Sequence, residues 1–150
     1  MSLTSWEGPR NRRDQSNPSR FGAVSMKTRD EHLKQASHNE DFAERLLQSG
    51  DAASVTWAAT LVFYSAVHYG RAFLAARGPL TIRTHSGFES IFRQSWAAPT
   101  NVLAHYRLLK VYSERARYDC VEYSAAEVVK LRDDHLRPFR DAILATLGAP

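Results

Sequence analysis

The chain has 150 residues, 43% of them apolar and 24% charged, the size and composition of one globular domain able to bury its own core. A single cysteine excludes an intramolecular disulfide framework and any multi-cysteine zinc site. The net charge of +4 hints at an anionic partner. Half of that excess, however, lies in residues 1–25, where Arg10, Arg12, Arg13 and Arg20 outweigh Glu7 and Asp14.

This leader is rich in Ser, Pro, Asn and Arg and shows neither helical nor strand periodicity, so it is expected to be a disordered basic tail. It lacks the apolar stretch of a secretory signal, which points to a cytoplasmic protein. Met26 opens the structured pattern, and the folded domain is expected over residues 26–150.

Five helical segments follow, and no alternating strand pattern competes with them. The first covers about residues 28–48, with Leu33, Ala36, Phe42, Leu46 and Leu47 as its apolar contacts, and ends at Ser49-Gly50. Asp51 is positioned to cap a second helix over about 52–77, which Gly78-Pro79 stops. Within it, 52–70 carries no Asp, Glu, Lys or Arg, so a membrane span must be weighed. Thr56, Thr60, Tyr64 and His68 interrupt that run every four residues, a polar stripe suited to the centre of a helical bundle rather than to lipid. The plain reading of the stripe is hydroxyls bonded back to the preceding turn and a satisfied histidine. The functional reading is a pocket or subunit contact lined by Tyr64 and His68.

Thr84 is placed to cap a short third helix over about 85–94, and Trp96 to Pro99 break the chain. A fourth helix is expected over about 100–118. Ser124 and Glu127 form a capping box that opens a last helix reaching about 147, bent near Pro138. Short connections between long helices predict an all-α fold, an antiparallel up-and-down bundle of four long helices plus a short one.

Spacing rules out several chemistries. No Glu is followed three residues later by His, as carboxylate-bridged di-metal bundles need. The six histidines (32, 38, 68, 85, 105 and 135) contain no i, i+4 pair for a helical zinc site. No phosphate loop, dinucleotide fingerprint or nucleophile elbow occurs, so neither a metal nor a cofactor is expected. His85 follows a cap and reads as local. His68 and His105 lie on apolar sectors and read as core. Histidines 32, 38 and 135 read as surface, and Cys120 reads as packing.

On the fourth helix, with Leu108 at 0°, Arg115 falls at about 340°, inside the sector holding Val111, Tyr112, His105 and Leu109, and Arg117 at about 180°, on its border. A guanidinium on an apolar sector must be paired. Asp119, one turn on, is the expected partner of Arg115. The alternative is an arginine held in a cleft for a phosphate or a partner subunit.

The run from Leu61 to Gly70, Leu-Val-Phe-Tyr-Ser-Ala-Val-His-Tyr-Gly, followed by Ala72 to Gly78, resembles the second helix of HEPN-domain proteins. Thr84-His-Ser-Gly-Phe88 with Phe92 is similar to that family's short helix, and the segment from Tyr106 to Asp119, with Glu114-Arg-Ala-Arg117, resembles the helix carrying its central arginine. The resemblance spans about residues 27–147. It implies a helical bundle, commonly a homodimer whose central arginines face a shared cleft. Many members are metal-independent ribonucleases with an Arg-x4–6-His motif, often in toxin–antitoxin or defence systems. Others lack the motif and bind partners, frequently a nucleotidyltransferase.

Here the motif is incomplete. With four to six residues intervening after Arg115 or Arg117 stand Cys120, Val121, Glu122, Tyr123 and Ser124, and none is a histidine. Arginine stabilises negative charge but does not shuttle protons at neutral pH. The expectation is a non-catalytic domain binding a protein, a nucleotide or RNA through Arg115, Arg117, Tyr118, Asp119, Tyr64 and His68. The alternatives are a ribonuclease using those arginines with His68, His85 or His105 displaced into the site, and a purely structural adaptor.

Overall fold

The helices that begin at Arg29, Ala52 and Ala125 each start where a side chain satisfies a first-turn amide, and those starts set the architecture. The computed structural model describes residues 27–78, 85–96 and 100–148, without the side chains of His85, Ser86 and Thr100. The expected leader, the Thr84 cap and the Pro99 break lie outside the described residues. Helix α1 (Arg29–Ser49) begins at a capping box in which Thr28 accepts from the Glu31 amide and Glu31 accepts from the Thr28 amide. Gly50, at φ 75°, closes it in the left-handed region that glycine occupies without strain. Asp51 then accepts from the Ser54 amide at 2.9 Å and starts α2 (Ala52–Ala75). The chain therefore reverses over two residues, and α1 and α2 form a helical hairpin.

Helix α3 (His85–Ser95) and α4 (Thr100–Tyr118) follow. The expected capping box at Ser124 and Glu127 is present and opens α5 (Ala125–Leu131). The last helix does not continue as one regular helix to 147. Residues Arg132–Leu136 widen into a π-turn, in which the Arg137 amide donates to the Arg132 carbonyl, before α6 (Arg137–Leu147) resumes. Pro138 is the cause: it has no N–H for the Asp134 carbonyl, and its ring would clash there, so the ladder widens one turn earlier. The predicted bend near Pro138 is thus a local change of helix type.

All described secondary structure is helical, and the molecule is an all-α bundle. Its centre is α2, nearly apolar all round and buried at Val55, Ala59, Phe63, Ala66 and Phe73. Against it lies an aromatic layer. Phe88 stacks on Phe92 at 5.4 Å between ring centres and meets Tyr106 at 5.0 Å, while Phe63 and Phe139 close on Tyr106 from other helices. Gly70 is what admits this layer: a Cβ there would sit 2.3 Å from the Phe88 ring. No helix among the described residues is long and apolar enough to cross a membrane.

Polar clamps tie the outer helices to this core. Glu40 accepts from the Tyr69 hydroxyl at 2.6 Å and from Arg140 at 3.1 Å, joining α1, α2 and α6. Burial, reinforced by that bond to Glu40, pushes the Tyr69 phenol well above its ordinary range. Arg132, from the π-turn, pairs with Glu44 of α1.

Candidate functional site

The polar stripe on α2 is the spine of the site, and three of its four members meet groups from elsewhere in the chain rather than their own turn. Thr56 accepts from the Tyr123 amide at 3.1 Å. Thr60 is buried with its hydroxyl unpartnered. Tyr64 accepts from Arg117, and His68 meets His32. The hydroxyl that does bond back to the preceding turn belongs to Ser65, which donates to the Leu61 carbonyl at 2.9 Å.

Arg117, not Arg115, is the arginine held against the bundle. Its Nε donates to the Ser113 carbonyl at 3.1 Å, which folds the side chain back along α4. Its Nη1 then reaches the Tyr64 and Tyr118 hydroxyls, each at 3.4 Å. The guanidinium lies 4.9 Å from the centre of the Tyr118 ring and 5.8 Å from that of Tyr64, within cation–π range of both. Tyr118 is 71% exposed, so this clamp opens to solvent.

The predicted Arg115–Asp119 ion pair does not form. Arg115 and Asp119 are both exposed, and only a backbone bond from the Asp119 amide to the Arg115 carbonyl links them. The helical wheel went astray because Leu108 is not the centre of the buried face. Val102, Leu103, Tyr106, Leu109 and Ser113 are the buried positions of α4, while Val111 is 49% exposed. That moves the core direction to about 140°, close to Arg117 and opposite Arg115. Below these residues Tyr123 stacks beside Tyr112 at 5.3 Å and donates to the Tyr112 carbonyl at 3.3 Å. Cys120 is exposed with φ 54°, so it belongs to the turn after α4 and not to the packing expected of it.

The histidines depart furthest from expectation. His32 and His135, read as surface, are half-buried and each faces a histidine on another helix. His32 and His68 approach Nδ1 to Nδ1 at 3.0 Å, and His105 and His135 do the same at 3.0 Å. Each pair shares one proton in a hydrogen bond, one ring donating and the other accepting. Burial, then the neighbouring His32 and Arg71, depress His68 to about 4; His32 and His135 are lowered as well, chiefly by burial. His38 is exposed, and the His85 side chain lies outside the described residues.

The structure thus gathers Tyr64, Arg117 and Tyr118, leaves Arg115 and Asp119 at the exposed helix end, and places His68 with His32 and His105 with His135. No group of three or more metal-ligating side chains occurs among the described residues. Beyond the stripe, Phe42, Leu46, Ala53, Ser54, Trp57 and Leu61 line an apolar groove of about 310 Å³ on the α1–α2 hairpin. Phe42 and Trp57 are 40% and 56% exposed there. The pattern did signal this patch, since Phe42 and Leu46 were read as apolar contacts; nothing in the sequence marked them as uncovered. No family model matches the chain, and no curated protein matches it.

Proposed function

We propose that this chain is a HEPN-type helical domain that binds a nucleotide or single-stranded RNA without cleaving it, and that it associates through its apolar groove with a second copy or a partner protein. The observation that carries the reading is the Arg117 clamp: a half-buried guanidinium between two tyrosine rings, one of them exposed. Arginine supplies charge for a phosphate, and an exposed ring supplies a face on which a base stacks. Arg115 adds a second, exposed cation at the same helix end. The non-catalytic part rests on proton transfer. No histidine follows either arginine at the expected spacing, and the electrostatic partners of His68 are His32 and Arg71, not Arg115 or Arg117.

Fluorescence anisotropy with a labelled single-stranded RNA tests the binding. Arg117→Ala and Tyr118→Ala are each expected to weaken it by about tenfold, the loss typical of one charge-assisted contact or one stacked base. Equal affinity in both variants overturns the clamp reading. Cleavage of the RNA by the wild-type chain that disappears in Arg117→Ala or Arg115→Ala overturns the non-catalytic reading.

A further inference from the structure

Two polar side chains of α2 are enclosed without a partner, the Thr60 hydroxyl and the root of the Arg71 guanidinium, and only the second carries a charge. Leu61, Tyr64, His68, Arg71 and Ala75 form the half-buried edge of that helix, at the i, i+3, i+7 spacing of one face. Tyr64 is met by Arg117 and His68 by His32. Arg71 is met by nothing. Among the described residues it makes no hydrogen bond and no ion pair, and its Nε is enclosed without a partner. A guanidinium enclosed at the root and left unpaired is costly, because water is excluded and no protein acceptor replaces it.

The surrounding charges do not relieve it. Glu31 is engaged by Lys27 at 3.0 Å and by the Thr28 amide at 2.8 Å. Glu89 is engaged by Arg107, and Glu114 faces Lys110 at 3.7 Å. The charge of Arg71 is felt by His32, His68 and Tyr106, and the Tyr106 hydroxyl is itself buried without a partner. Arg71 therefore acts on imidazoles and a phenol, and the carboxylates that act on His32 and Tyr106 beside it, Glu31, Glu89 and Glu114, are each engaged by another cation.

The histidine pair supplies the complementary donor. The ring that accepts at Nδ1 carries its own proton on Nε2, so one N–H of the pair stays outside the shared bond, and His68 lies one helical turn from the unpaired Arg71, whose charge both rings feel. We propose that Arg71, together with the His32–His68 pair, forms an oxyanion site that takes a phosphoryl or carboxylate group. The site stands on Arg71 and its neighbours and does not rest on the Arg117 clamp. The planar fork of arginine suits two oxygens of such a group, and an anion there supplies the acceptor that Nε and the terminal nitrogens lack.

The test is a titration of the full chain with inorganic phosphate, and separately with acetate, at ionic strength held constant with chloride. Phosphate is expected to raise the thermal midpoint and to move the His68 ring titration to higher pH, because neutralising Arg71 removes one charge that opposes the imidazolium. Both effects are expected to vanish in Arg71→Met and to persist in Arg117→Ala, which separates this site from the clamp. Acetate reproducing them assigns a carboxylate-accepting site; phosphate alone assigns a phosphoryl site. No response to either anion, or the same response in Arg71→Met, overturns the proposal. Should Arg71→Met fail to fold, the Arg71 Nε–H resonance of the wild-type chain decides: no shift on titration with either anion overturns it equally.

Discussion

At neutral pH the His32–His68 pair is two uncharged rings joined through one shared proton; one added proton makes the donor ring a cation that keeps the bond, and only the next sets two cations side by side and breaks it. His68 is depressed to about 4 and His32 is lowered, while both return to about 6.5 on unfolding. The unfolded chain then binds more protons than the folded one below about pH 6.5, so stability falls as pH falls through that window towards 4. The caps act in a lower window: Glu31 is lowered to about 2 by its bond to Thr28 and by Lys27, so its contribution is lost only below about pH 4.5. Thermal midpoints between pH 7 and 4.5 should decline in the wild type and decline less in His68→Gln; parallel declines would remove the pair as the cause. None of this pairing was legible in the sequence. His68 stood out on an apolar stripe, but its partner lies 36 residues away on a helix whose polar face gave no hint of which histidine would turn inward. Arg117 was legible as a candidate and Arg115 was preferred to it, since a wheel yields relative angles and only packing supplies the origin.

Helices and their ends were far more readable, because capping chemistry is local. Asp51, Gly50 and the Ser124–Glu127 box stand where their residue types predict. The Thr28–Glu31 box carries the same signature, although Thr28 was expected inside the helix rather than at its cap. Gly70 shows what local signals omit. Alanine is the better helix former by about 1 kcal/mol, so propensity alone predicts that Gly70→Ala stabilises α2. The Phe88 ring, 2.3 Å from the added Cβ and held between Phe92 and Tyr106, predicts the opposite, a loss of about 2 kcal/mol. Urea unfolding gives the sign directly. Adding Phe88→Leu should recover part of the loss, and additive losses in the double variant would place the strain elsewhere.

The bundle as a whole follows from an apolar α2 that every other helix must cover, which composition and periodicity foresaw. Among the described residues, the groove around Trp57 is an uncovered apolar face. If that face carries association, sedimentation of the wild-type chain should report a species larger than one chain, and Trp57→Asp should reduce it to a monomer. A wild-type chain that is already monomeric at high concentration leaves the groove to a different protein. The two-residue reversal at Gly50-Asp51 has a kinetic meaning as well. Closing so short a loop costs little chain entropy, and α1 and α2 meet through neighbours in sequence, whereas α6 must wait for the chain in between. The hairpin should therefore be formed early, with α6 docking after the rate-limiting barrier. Ala43→Gly, buried in α1, should slow folding, whereas Ile143→Val, buried in α6, should mainly speed unfolding. The reverse pattern in stopped-flow measurements would mean that the molecule assembles from its C-terminal end.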